Sequence, residues 1–127
     1  MSRAVFPDPI DVRDNGLQGD VRTFRLLAPF TYLSSRGAIT VPAGFVTDGA
    51  SIPRVFWSVL AQFGPWFGAA IIHDWLYSEL NLRFTRLQSD DLFKEAMFNA
   101  GLDWPRREMI YRAVRWFGGR SFKGSKP

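Results

Sequence analysis

The chain has no cysteine among its 127 residues, so neither disulfides nor thiolate metal ligands are available to it. That fits folding in a reducing compartment. It has one histidine, His73, so any imidazole chemistry must use that residue. No long hydrophobic run is present. The longest apolar stretch, Trp66 to Ile72, falls far short of the roughly 20 residues that a bilayer-spanning helix needs. The opening does not read as a secretory signal, because Arg3 is soon followed by Pro7, Asp8, Pro9 and Asp11. These absences predict a chain that folds in a cytoplasm and does not span a membrane. No internal repeat and no long linker divides the sequence.

What is present suits a single domain over residues 1–127, long enough to bury a core without staples. Aromatic residues are plentiful. Charge is uneven: residues 1–82 carry 6 Lys/Arg and 7 Asp/Glu, and residues 83–127 carry 10 and 5, a net of −1 against +5. A basic C-terminal part suits an anionic partner such as lipid, nucleic acid or an acidic protein, or simply a soluble surface.

Residues 1–20 are rich in Pro and Asp and read as an extended arm. Val21 to Leu27, Thr31 to Leu33 and Ala38 to Val41 read as strands of a small antiparallel meander, with turns at Ser34-Ser35-Arg36-Gly37 and Pro42-Ala43-Gly44. The pattern then becomes helical. Ser51 caps a short helix with Pro53 in its first turn, and Gly64-Pro65 leads into a helix over Trp66 to Leu80. Thr85 and Gln88 form a capping box for a helix that Gly101 closes. Asp103-Trp104-Pro105 starts the last helix, and residues 121–127 form a mobile basic tail. The expected class is α+β: a β-meander followed by three to four helices, with an antiparallel helix pair carrying the site.

The chemistry concentrates at Ile71-Ile72-His73-Asp74-Trp75-Leu76-Tyr77. A lone imidazole and a carboxylate in apolar surroundings need partners, since buried charge is costly. His73 and Tyr77, four apart, share a helix face, whereas Asp74 is rotated by about 100°. On the next helix Asp90, Phe93 and Met97 share the apolar side, which brings Asp90 toward His73 if the helices pack antiparallel. A carboxylate on one imidazole nitrogen sets the tautomer and leaves the other nitrogen to accept a proton. Asp74, facing elsewhere, is suited to a hard cation such as calcium, with oxygens from the Asp48-Gly49-Ala50-Ser51 loop. The plainer alternatives are a satisfied polar pair at His73-Asp74, a turn at Asp48-Gly49 and a structural hydrogen bond from Asp90 to Tyr77.

Two resemblances follow from these residues. The stretch from Ile39 to Phe117, with Val41-Pro42-Ala43-Gly44-Phe45-Val46-Thr47-Asp48-Gly49-Ala50-Ser51-Ile52-Pro53-Arg54, His73-Asp74-Trp75-Leu76-Tyr77 and Asp90-Asp91-Leu92-Phe93, resembles an uncharacterised family of small tailed-phage and prophage proteins. This implies a phage origin without a settled activity. Locally, His73-Asp74 with Tyr77 is similar to the active-site helix of secreted phospholipase A2 enzymes. That likeness implies His73 as general base, Asp74 as calcium ligand with the Asp48–Pro53 loop, Asp90 as the base's orienting partner and Tyr77 as its support. The chain departs from those enzymes in lacking their disulfides and in keeping only Gly49 of their glycine-rich calcium loop.

Three functions compete. The first is a calcium-assisted ester hydrolase working on phospholipid at a membrane surface. The second is a non-enzymatic phage virion or tail-assembly protein, or a host-factor binder, in which the pair is structural. The third is nucleic-acid binding through the Arg-rich last helix (Arg106, Arg107, Arg112, Arg115). It is the weakest, because no known nucleic-acid motif is present.

Overall fold

Pro29 separates two stretches with strand character, and the chain changes sheet there. A computed structural model describes residues 5–18, 21–47, 64–78 and 83–117. Five strands come first: β1 (Val12–Gln18), β2 (Val21–Leu26), β3 (Phe30–Ser34), β4 (Gly37–Val41) and β5 (Val46–Thr47). Three helices follow: α1 (Gly64–Tyr77), α2 (Arg86–Asn99) and α3 (Trp104–Phe117). This is the expected α+β arrangement. The strands are shared between two small antiparallel sheets, ordered β1-β2-β5 and β3-β4. Proline has no N–H for a ladder, so β2 does not run on into β3. The edge of β2 is instead completed by the return of the chain after β4. Leu26 N donates to Phe45 O at 2.9 Å and Gly44 N donates to Leu26 O at 2.8 Å.

The N-terminal segment is more than an extended arm. Its second half is β1, paired with β2 in the register Val12↔Leu26 to Gln18↔Val21, with a bulge between Asp14 and Gly16. Its first half lies along β3, where Leu33 N donates to Val5 O and Thr31 N donates to the Asp8 carboxylate. Phe6 stacks on Phe30 and Tyr32. A Pro- and Asp-rich sequence has low strand propensity, and cross-strand pairing overrides it.

The helices follow local chemistry closely. Pro65 lies in the first turn of α1, where a missing N–H costs nothing. Buried Gly68 lets α1 approach the strands, since a Cβ there would sit 2.9 Å from Phe30 Cζ. Both bonds of the capping box form at α2: Gln88 N donates to Thr85 Oγ1 at 3.2 Å, and Thr85 N donates to Gln88 Oε1 at 3.0 Å. Gly101 follows with φ +92°, a left-handed conformation that stops α2. Helix α1 is buried on most sides, as its apolar sequence predicts. Ile71, Ile72 and Leu76 meet Phe30, Tyr32, Ile39 and Val41 from the strands and Leu92, Phe93 and Met97 from α2. The expected short helix at Ser51 and the basic tail at 121–127 lie outside the described residues.

Candidate functional site

Asp90 is the centre of the site. It lies on the core side of α2, is 0% exposed, and needs donors for both carboxylate oxygens. All three helices contribute. From α1, His73 Nε2 lies 2.9 Å from Asp90 Oδ1, and Tyr77 Oη donates to the same oxygen at 2.5 Å. From α3, Arg115 Nη1 donates to Asp90 Oδ2 at 2.7 Å. Arg86, one turn before Asp90 on α2, holds its Nε 3.9 Å from Oδ2 and donates to Tyr77 Oη at 3.3 Å. Its Nη2 also reaches the carbonyls of Val114 and Arg115, at 2.9 and 2.6 Å. These carbonyls, in the last turn of α3, have no partner within their own helix.

The electrostatics follow from this wiring. Burial alone would push the Asp90 pKa up, but donors from His73, Tyr77 and Arg115 outweigh it and hold the carboxyl below its ordinary value. Burial and the adjacent Asp90 both push the Tyr77 phenol up, so it stays a donor. Burial acts to lower the Arg115 pKa, and the bond to Asp90 more than reverses that. One anion is thus stabilised inside the helix layer by four side chains.

His73 is 1% exposed, its ring stacked on Phe93 at 4.2 Å and tilted against Tyr77 at 4.2 Å. With Nε2 committed to Asp90, Nδ1 is the remaining ring nitrogen, and no hydrogen-bond partner for it is found among the described residues. A carboxylate on Nε2 favours the tautomer with the proton there, which leaves a lone pair on Nδ1.

Asp74 turns away from this cluster. Its Oδ2 accepts from Thr47 Oγ1 at 2.5 Å, and Thr47 is buried on β5. The adjacent His-Asp pair is therefore split, with His73 facing α2 and Asp74 facing the end of β5. Asp48 and Gly49, the other expected calcium ligands, lie outside the described residues. Among the described residues no three His, Cys, Asp or Glu side chains gather to hold a metal. Calcium takes about six to eight oxygens, so Asp74 and Thr47 alone do not make a cage.

Arg115 and Arg86 were not among the expected site residues. The spacing Arg86–Asp90, one helical turn, could have suggested Arg86. A stripe on α3 could have suggested Arg115. Glu108, Tyr111 and Arg115 meet Lys94, Asp91 and Asp90 of α2 in antiparallel order. The nucleic-acid alternative groups Arg115 with Arg112 on the last helix, whereas the fold turns Arg115 inward to Asp90.

The fold and site define an α+β domain whose three helices meet on one buried carboxylate next to an imidazole. The chain belongs to the family described as "Protein of unknown function (DUF1353)", whose model matches residues 24–114, from β2 to near the end of α3. It is also similar to an uncharacterized protein of Sinorhizobium fredii, y4iH, with 32% identity over 109 residues. That match covers 82% of this chain but 44% of the relative. No solved structure matches the chain.

Proposed function

We propose that this is a phage-encoded hydrolase domain in which His73 is the general base for ester cleavage. The observation that supports it is the asymmetric environment of the imidazole. Nε2 is held by a fully partnered Asp90, and Nδ1 has no partner among the described residues. In this reading Nδ1 takes a proton from water as the water oxygen bonds to the ester carbonyl carbon. Asp90 stabilises the imidazolium that forms. The bond from carbon to the alcohol oxygen then breaks, and the proton on Nδ1 passes to the departing alkoxide. Tyr77 and Arg115 keep the Asp90 carboxylate ionised and aligned. Asp74, with Asp48 and Gly49, would supply oxygens to calcium. Such an ion would polarise the carbonyl and stabilise negative charge on its oxygen. The substrate class is a phospholipid ester. The test is fatty-acid release from phospholipid by purified protein with and without calcium. Calcium-dependent release that is lost in His73→Gln and in Asp74→Asn supports the reading, and no release by the wild-type chain overturns it.

A second reading is favoured by the burial of His73 and its stacking on Phe93. In it the cluster only pins three helices together, and the protein is a virion or tail-assembly component or a host-factor binder. His73→Gln then lowers the melting temperature and changes no catalytic assay, and the protein co-purifies with virions.

A further inference from the structure

On α3, adjacent residues face opposite ways. Arg115 reaches inward to Asp90, while Trp116 is 80% exposed. Met109, Arg112 and Trp116 recur at helical spacing and share one outward side. Met109 is exposed and Arg112 is 79% exposed. Trp104, at the start of the same helix, is 62% exposed. Large apolar side chains left in water along a basic helix face need a reason.

We propose that this outward face of α3 docks the protein peripherally on an anionic lipid surface. Charge complementarity argues for that occupant. Between Arg106 and Pro127 the sequence holds, besides the inward Arg115, six Lys/Arg (Arg106, Arg107, Arg112, Arg120, Lys123, Lys126) and one acid, a net of +5. The acid, Glu108, is taken up by Lys94 at 2.5 Å. Its other oxygen lies 3.9 Å from Arg112 Nε, and Arg112 stays 79% exposed. Tryptophan and arginine on one face match the boundary between headgroups and acyl chains, where an indole is half in apolar surroundings and a guanidinium meets phosphate. Single-stranded nucleic acid is usually bound in a grooved track with aromatic platforms, and a convex helix face is not one. Among the described residues no helix is long and apolar enough to cross a membrane, and docking of this kind needs none. The proposal does not rest on the hydrolase reading. If both hold, Arg115 puts the docked face next to the residue that orients the base.

The test is co-sedimentation of the full chain with vesicles of phosphatidylcholine alone and of phosphatidylcholine mixed with phosphatidylserine. Binding is read directly, so the result stands whether or not lipid is cleaved. The chain should sediment with the mixed vesicles at about 0.1 M salt and release at about 1 M. Arg112→Glu, a change of two charges at about fivefold each, should weaken partitioning roughly 25-fold. Trp116→Ala should weaken it roughly tenfold or more. Both side chains are exposed, and circular dichroism would verify that the variants are folded. The proposal is overturned if the chain ignores the mixed vesicles, if both variants bind as wild type does, or if it binds an oligonucleotide and no vesicle.

Discussion

Replacing Asp90 with alanine should be among the most damaging single changes in this protein. The substitution removes a carboxylate that is 0% exposed and accepts from His73, Tyr77 and Arg115. His73 Nε2–H and the Tyr77 hydroxyl would then be buried donors that have lost the Asp90 oxygen they share, each loss costing about 1–3 kcal/mol. Arg115 is about one-third exposed on its side chain and can turn to water, so its loss is smaller. Breaking a buried charged pair typically costs about 3–5 kcal/mol, and the sum over the two donors agrees with that range. For a domain of this size about 4 kcal/mol corresponds to a melting temperature lower by roughly 15 °C. Urea and thermal unfolding followed by circular dichroism measure it. Arg115→Met supplies a check: in the Asp90→Ala background it should cost much less than alone, a coupling of about 1–3 kcal/mol. A loss below about 1 kcal/mol for Asp90→Ala, or full additivity with Arg115→Met, would refute the view that this carboxylate ties the three helices together.

The same carboxylate should shape the acid limb of stability. Its folded pKa is held below the ordinary 3.8, so its stabilisation is complete above that value and is lost as pH falls through the lower, folded pKa. Unfolding free energy measured from pH 6 downward should therefore drop on entering the region below about 4, and Asp90→Asn should flatten that part of the curve. An unchanged slope in the variant would show that other carboxylates carry the acid response. At α2, Thr85→Ala removes the acceptor for Gln88 N and should lower stability by about 1 kcal/mol in urea unfolding. A shift near zero would mean that water replaces the cap without cost.

Much of the helical half can be read directly from residues 64–117. The Thr85–Gln88 box, Gly101 and Pro65 act within one turn of themselves, so neighbouring residues suffice to place them. The meeting of His73 with Asp90 was also legible, because helical spacing assigns each to the apolar side of its own helix. The strands were less so. The Pro- and Asp-rich lead-in gives little local sign of β1, which exists through its pairing with β2. The division into two sheets depends on where residues 44–47 return, a contact distant in sequence. Arg115 was the hardest to place. A guanidinium on an amphipathic helix suits water or a buried acid equally, and only the packing of α3 on α2 decides between them.

The sequence alone therefore determined local periodicities and caps, the opposed directions of His73 and Asp74, and a positive C-terminal part. These depend on helix geometry and on charge count. Tertiary structure alone decided that Asp90 on α2 takes donors from α1 and α3, that Asp74 meets Thr47 on β5, and that Arg115 faces inward while Trp116 faces out. The physical reason is that a buried carboxylate's partners are set by which helix faces meet. That meeting is settled by packing the whole apolar surface, and no window of consecutive residues contains it.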